Sequence, residues 1–330
     1  MKFINYGNHH IDKNDLYFIK KSLFSSKITQ GEQVDLFEKI LSKNYGSKYA
    51  ISVNSGTSAL ILAIKSLNLP KNCKIISPAI TFFASASATI LNNHQLDLVD
   101  IELENYTLDL NKLENKLKKD KKIKAVIGVD YAGNLCDWKN LSYLKKKYNL
   151  YLINDNCHAL GSRLNKSNEY AIKYADIVTQ SFHPVKHFTT GEGGAVLTSN
   201  KKFRDRINLL RNHGIERNAQ TEKKMGSWYY NIRNIGYNFR LSDINCALGI
   251  SQIKKLNKFV SKRRNIANHY NKIFKNYENF VIPKVKKNIY HSYHLYPLLI
   301  DFKKFGIQKK YFFKQMYKKN INLQVHYIPL

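Results

Sequence analysis

Seven short apolar runs, each bounded by turn residues, recur along the first two-thirds of the chain and constrain its fold more than any other feature. They are YAISV (49–53), CKIIS (73–77), LDLVD (96–100), IKAVIGV (123–129), LYLIN (150–154), DIVTQS (176–181) and GAVLTS (194–199). Most are separated by segments long enough for a helix, such as Ser58 to Leu67 and Leu141 to Tyr148. Strands joined by helix-sized crossovers return parallel to one another, and helices on both faces let the strands be continuously apolar. An α/β chain with a mostly parallel seven-stranded sheet is expected. Between the sixth and seventh runs the rhythm breaks: residues 182–193 contain Pro184 and run into the Gly-rich turn Gly191 to Gly194. That gap is too short for a crossover helix, so one antiparallel strand is expected there.

Outside the sheet the texture changes. Leu16, Ile19 and Leu23 fall at helical spacing ahead of the loop SSKITQGEQ. From Ser242 the chain reads as one long amphipathic helix with Ile244, Leu248, Ile253, Leu256, Phe259 and Ile266 on its apolar side. The run YHLYPLLI (293–300), a helix around 308–319 and a strand-like LQVHYIP (323–329) follow. The expected division is a large domain with an N-terminal arm over 1–245 and a smaller α+β domain over 246–330, without internal repeats.

Composition narrows the class. With 43% hydrophobic residues in 330, the chain can bury a sizeable core, and a disordered or disulfide-scaffold protein is excluded. Lys+Arg exceed Asp+Glu by 54 to 24, a net charge of +30. Such an excess raises nucleic acid as a partner. Only nine of the basic residues are Arg, however, and the densest cluster, Lys118-Lys119-Asp120-Lys121-Lys122, reads as a solvated loop. The same field would draw in an anionic substrate such as a nucleotide sugar. Cys73, Cys136, Cys157 and Cys246 show no metal-ligand spacing, so no metal is expected and a reduced cytoplasmic setting is. The N-terminus MKFINYGNHH lacks an apolar signal core. No membrane span is expected either, because the longest uncharged stretch, Ile75 to Asn93, carries Pro78 and repeated Ser, Thr and Asn.

Four places carry candidate chemistry. Asn54-Ser55-Gly56-Thr57-Ser58 follows a strand and opens a helix, where free N–H groups and the helix dipole receive phosphate; Ser and Thr there are equally ordinary N-caps. Asp155 sits at a strand's carboxyl end, where open α/β sheets place ligands, or else it caps a helix. His158 reads as a site residue or a satisfied core histidine. In SFHPVKHFTTGEGG, Lys186 is held in a tight loop between two strands, where a partly desolvated amine becomes a carbonyl-directed nucleophile; alternatively it is one more surface lysine. Together, a phosphate cradle, a strand-end acid, and Ser181 five residues before a lysine follow the logic of a pyridoxal phosphate site.

NSGTSAL, SPAITFFAS, DNCHALGS, SFHPVKHFTTGEGGAV, RNHGI, IGYNFRLSDINCALG, SYHLYP and LQVHYIP, in that order, resemble the DegT/DnrJ/EryC1/StrS family of sugar aminotransferases. The closest resemblance is to the branch that aminates a UDP-linked 4-keto-6-deoxy N-acetyl sugar towards pseudaminic acid. This implies the pyridoxal phosphate-dependent transferase fold type I, L-glutamate as expected amino donor, and a homodimer with shared active sites. It also implies that Lys186 is the Schiff-base lysine, Asp155 the pyridinium partner and His158 the neighbour of the ring's 3-hydroxyl. Gly56, Thr57 and Ser181 would hold the phosphate, Asn238 would reach it from the other subunit, and Phe82 would stack on the ring. Tyr6, Lys27, Ile28, Thr29, Gln30, Leu323, Gln324, Val325 and His326 would bind the sugar nucleotide. Dehydratase relatives carry His where Lys186 stands, which argues against dehydration. Two departures stand out: Asn156-Cys157 replaces the usual small residues, and the chain stops at Leu330 where family members continue, so an incomplete small domain is expected. An inactive remnant, or a regulatory or nucleic-acid-binding protein on the same scaffold, are the competing readings.

Overall fold

The computed structural model describes residues 3–330. All seven runs form strands: β1 Tyr49–Val53, β2 Lys74–Pro78, β3 Gln95–Val99, β4 Ile123–Val129, β5 Tyr151–Asp155, then, after a two-residue β6 Arg163–Leu164, β7 Ile177–Ser181 and β8 Gly194–Thr198. They make one seven-stranded sheet in the order β1-β8-β7-β5-β4-β2-β3, while β6 pairs with Ile289–Tyr290. Only β8 runs against its neighbours, antiparallel to both β1 and β7, as the short Gly-rich gap requires.

The helices are α1 Lys13–Leu23, α2 Glu32–Tyr45, α3 Gly56–Leu67, α4 Phe83–Leu91, α5 Leu110–Lys119, α6 Trp138–Tyr148, α7 Tyr170–Tyr174, α8 Lys201–Arg211, α9 Ala219–Met225, α10 Asp243–Ile253, α11 Leu256–Phe274 and α12 Lys309–Lys318. Polar N-caps start many of them: Ser55 accepts from the Ser58 amide, Asp109 from Asn111 and Lys112, and Ser242 from Asn245. The sheet has two apolar faces. One packs Ile51, Ile75, Ile127 and Ile153 against α3 and α8; the other packs Ile76, Val126 and Leu152 against α2 and α6.

Three expectations need correcting. The long helix from Ser242 is two helices, because the chain turns at Lys254–Lys255 and Lys255 Nζ pairs with Asp15 at 2.6 Å and Asp12 at 3.0 Å on α1. Cys246 and Ile250 on α10 lie in the core beneath the sheet. The helix α1 forms as expected, yet Leu16 and Leu23 are exposed while Asp15 and Ser22 face inward, so the helix docks through the Asp15–Lys255 pair and through Phe18 packed on the core. LQVHYIP is an irregular segment without strand pairing, and its end is tied down by the Leu330 amide donating to the Ala79 carbonyl at 3.0 Å. Among the described residues no helix is long and apolar enough to cross a membrane.

Candidate active site

Successive residues of a strand face opposite sides, so Asp155 on β5 and Ser181 on β7 share the face covered by α3 and α4. The N-terminus of α3 meets Ser181 closely: a Cβ at Gly56 would stand 2.7 Å from Ser181 Cβ. Gly194, opposite Ser181 in the ladder, is equally constrained, since a Cβ there would lie 2.5 Å from the Ser55 carbonyl oxygen. These contacts leave the Gly56 and Thr57 amides, which have no intrahelical acceptor, beside the Ser181 hydroxyl.

Asp155 is buried, and its Oδ2 accepts from Ser85 Oγ at 2.7 Å and its Oδ1 from the Cys157 amide at 3.2 Å. Ser85 is oriented by Thr81 Oγ1 at 2.9 Å. Three residues earlier Phe82 stands half-exposed at the start of α4, its ring centroid 5.8 Å from that of Tyr327.

Lys186 lies near the tip of the 182–193 loop. The neck is closed by Phe182 N–H to the Gly193 carbonyl (2.8 Å), Thr190 N–H to the Phe182 carbonyl (3.0 Å) and Thr189 Oγ1 to the same carbonyl (2.8 Å). Asn245 Nδ2 on α10 ties the loop down by donating to the Thr190 carbonyl at 2.6 Å. Burial pulls the Lys186 ammonium down from the usual lysine range, opposed by the Cys157 thiol and the Asp155 carboxylate.

Histidines line the other side. His158 Nε2 is 3.0 Å from the Tyr327 hydroxyl, and its ring centroid is 4.4 Å from that of His294. His187 packs 5.6 Å from His294 and its Nε2 meets the Ser292 carbonyl at 3.2 Å. Burial first, then the nearby Lys186 charge, holds His158 and His294 well below the usual imidazole range; His187 is depressed by burial and Arg263. The rings stay neutral, so they add no cation beside the lysine.

The candidate substrate segments converge in part. The N-terminal arm pairs with 320–322 through Ile4 N–H to Asn320 and Asn322 N–H to Ile4, which brings Tyr6 to 5.5 Å from His326. A Cβ at Gly7 would lie 3.4 Å from Val185 Cβ, so the arm crosses beside Lys186. His326 is depressed by burial and by Lys186, and its carbonyl accepts from the Tyr131 hydroxyl. Leu323 is partly buried, whereas Gln324 and Val325 are exposed. Lys27, Ile28, Thr29 and Gln30 are exposed on a loop pinned to α10, with the Asp243 amide donating to the Ile28 carbonyl at 2.9 Å and Thr29 bridging Ser242. Asn238 is exposed, and its carbonyl accepts weakly from Asn54 Nδ2 at 3.5 Å, just ahead of α3. Sequence reasoning missed Ser85, Tyr131, Tyr327 and His294. Each lies in or beside a motif already singled out, but only the fold shows which side chains turn inward.

A sequence profile of the DegT/DnrJ/EryC1/StrS aminotransferase family matches residues 9–330. The chain is 40% identical over 327 residues to the UDP-4-amino-4,6-dideoxy-N-acetyl-beta-L-altrosamine transaminase of Campylobacter jejuni, covering 99% of this chain and 84% of that protein. Among solved structures it is similar to Helicobacter pylori PseC, an aminotransferase involved in pseudaminic acid biosynthesis (TM-score 0.91, 32% identity, 99% of this chain and 85% of that one). It also matches the PLP form of a putative Streptococcus pneumoniae sugar aminotransferase (TM-score 0.88, 25% identity, 99% and 86%). Fold and similarities together define a pyridoxal phosphate-dependent sugar aminotransferase. Within that class the chain belongs to the DegT/DnrJ/EryC1/StrS family.

Proposed function

We propose that this protein is a cytoplasmic enzyme that transfers an amino group from L-glutamate to C4 of a UDP-linked 4-keto-6-deoxy N-acetyl sugar, towards pseudaminic acid or a related surface-glycan sugar. The observation that carries this is that Asp155 and the Gly56–Ser181 cradle share one face of the sheet, with the loop that holds Lys186 following directly from Ser181. The substrate class rests on similarity to the Campylobacter and Helicobacter proteins.

The residues fit the cofactor. The bare Gly56 surface and unpaired first-turn amides of α3, beside Ser181, suit a phosphate, and Thr57 joins them. Asp155, turned to the same face by Ser85, suits a protonated ring nitrogen; Phe82 suits stacking, and His158, oriented by Tyr327, a ring hydroxyl. When bound, the cofactor supplies an electron sink for the pair left by C–H ionisation. Lys186 provides the attachment amine and moves the proton between the donor's Cα or sugar C4 and its own Nζ, since burial disfavours its ammonium form. Asp155 holds the proton on the ring nitrogen by its charge.

Tyr6 with His326, the 323–326 segment and the 27–30 loop form the sugar-nucleotide side of the site, and the chain's positive field favours the diphosphate. The large cofactor-binding domain over 1–245 and the smaller C-terminal domain over 246–330 meet here. Exposed Asn238 completes a neighbour's phosphate site in a homodimer. Turnover of UDP-linked 4-keto sugars of two configurations with L-glutamate tests the reading. One configuration aminated at C4 supports it; amination of neither overturns the substrate assignment.

A further inference from the structure

Asp130 follows β4 and is fully buried one layer from the site. Its Oδ1 accepts from the Cys136 amide at 3.0 Å and from Trp138 Nε1 at 2.8 Å. Its Oδ2 accepts from the Tyr170 hydroxyl at 2.9 Å and from Asn156 Nδ2 at 3.1 Å. The Asp130 amide donates to the Asp155 carbonyl at 3.2 Å. Asn156 Nδ2 also donates to the Tyr170 hydroxyl at 2.8 Å, and the Asn156 amide donates to the Thr179 carbonyl at 3.0 Å. Among the described residues no cation pairs with this carboxylate. A buried charge is expensive unless saturated with donors, and here four neutral donors converge on it. One of the four is Asn156, which stands between Asp155 and His158 in the chain.

We propose that Asp130 is a positioning residue: as an anion it fixes Asn156, and through Asn156 it sets the direction in which Asp155 and His158 face the reacting groups. This rests on the roles proposed above for Asp155 and His158. Burial pushes the Asp130 carboxyl up to about 6, so the device titrates close to neutrality. The titratable groups facing it are Tyr170 and Cys136, both pushed up by burial and by Asp130 itself; Tyr45 acts on Tyr170, and Glu102 and Asp137 on Cys136. Raised in this way, Tyr170 and Cys136 both stay protonated at neutral pH. Protonation replaces the charged acceptor by a neutral carboxyl: the added proton at Oδ2 meets the Tyr170 hydroxyl, which can turn to accept it, and the hydrogen bond from Asn156 Nδ2 loses its charge assistance.

Trp138 reports on Asp130 directly. The chain has two tryptophans, and the other, Trp228, is 71% exposed, so Trp228→Phe leaves Trp138 as the sole emitter. In that full-length background, with and without pyridoxal phosphate, Trp138 emission is expected to shift with a midpoint close to pH 6. The kcat of the loaded enzyme is expected to fall about tenfold through the same midpoint with KM little changed, the loss of roughly one charge-assisted hydrogen bond. Asn156→Ala should keep the emission transition, lose the kcat limb, and sit about tenfold low in kcat at all pH. Asp130→Asn should lose both transitions; if it does not fold, Asn156→Ala decides. A kcat limb unchanged in Asn156→Ala, or flat emission through pH 6, overturns the proposal. Failure of the underlying reading shows separately, as wild-type turnover in Lys186→Ala, and would bring this proposal down with it.

Discussion

Gly56 is the first helical residue of α3, and a Cβ there would stand 2.7 Å from Ser181 Cβ, 3.2 Å from Ser181 Oγ and 3.4 Å from Cys157 Sγ. Carbon atoms in ordinary contact sit about 3.5–4.0 Å apart, so Gly56→Ala must move the first turn of α3 or the end of β7 by about 1 Å. Alanine gains at most about 1 kcal/mol of helix propensity, while overpacking costs about 1–3 kcal/mol. With the full propensity gain the net loss is about 0–2 kcal/mol. Both displaced surfaces belong to the proposed phosphate cradle, so cofactor affinity should weaken about tenfold, the equivalent of roughly 1.4 kcal/mol. Absorbance titration with pyridoxal phosphate measures the affinity, and urea unfolding of the cofactor-free protein measures the strain. Ser181→Gly removes the opposing Cβ, so the double variant should recover most of the stability lost in Gly56→Ala, a coupling of about 1–2 kcal/mol. Additive effects, or wild-type cofactor affinity in Gly56→Ala, would refute the close-contact argument.

Lys186→Ala and Lys186→Arg should both lose covalent cofactor attachment and turnover, the second because a guanidinium keeps its proton; mass spectrometry and turnover check both. Asp155→Asn should retain some cofactor but react about a hundredfold or more slowly, measured by single-turnover absorbance. Because burial lowers the Lys186 ammonium and Asp155 raises it again, covalent loading should persist below the ordinary lysine range, decline as pH falls, and reach its midpoint at lower pH in Asp155→Asn. A stopped-flow loading series against pH reads that order. Mixing Lys186→Ala subunits with subunits inactivated at Asn238 should restore about a quarter of full activity if the site is shared in trans, since half of random dimers are mixed and each has one intact site.

The sheet was legible because its strands are apolar on both faces and bounded by turn residues, and β8 was legible because a crossover helix cannot fit in the 182–193 gap. The division of the helix from Ser242 was hidden, since nothing local breaks the periodicity at Lys254–Lys255; the turn is stabilised by Asp12 and Asp15, over two hundred residues away in sequence. LQVHYIP alternates like a strand, yet its polar groups find partners in Tyr131 and His158 instead of a ladder. Asp155 and Gly56 could be singled out because they stand at a strand end and a helix start, and Lys186 because Pro184 and the Gly-rich turn mark its loop as tight. Ser85 and Tyr327 carry no such mark, because a serine in a helix or a tyrosine in a loop gains meaning only from what it touches. Asp130 was hidden for the same reason: its four donors come from three separate stretches of chain.

In the proposed reaction Lys186 carries pyridoxal phosphate and gives it up to an amino donor. Borohydride reduction of the loaded protein, followed by peptide mass mapping, tests this directly. A single cofactor adduct is expected on the peptide containing Lys186, absent when the protein is first incubated with L-glutamate. An adduct on another lysine, or none, or one on Lys186 that no amino donor diminishes, would contradict it.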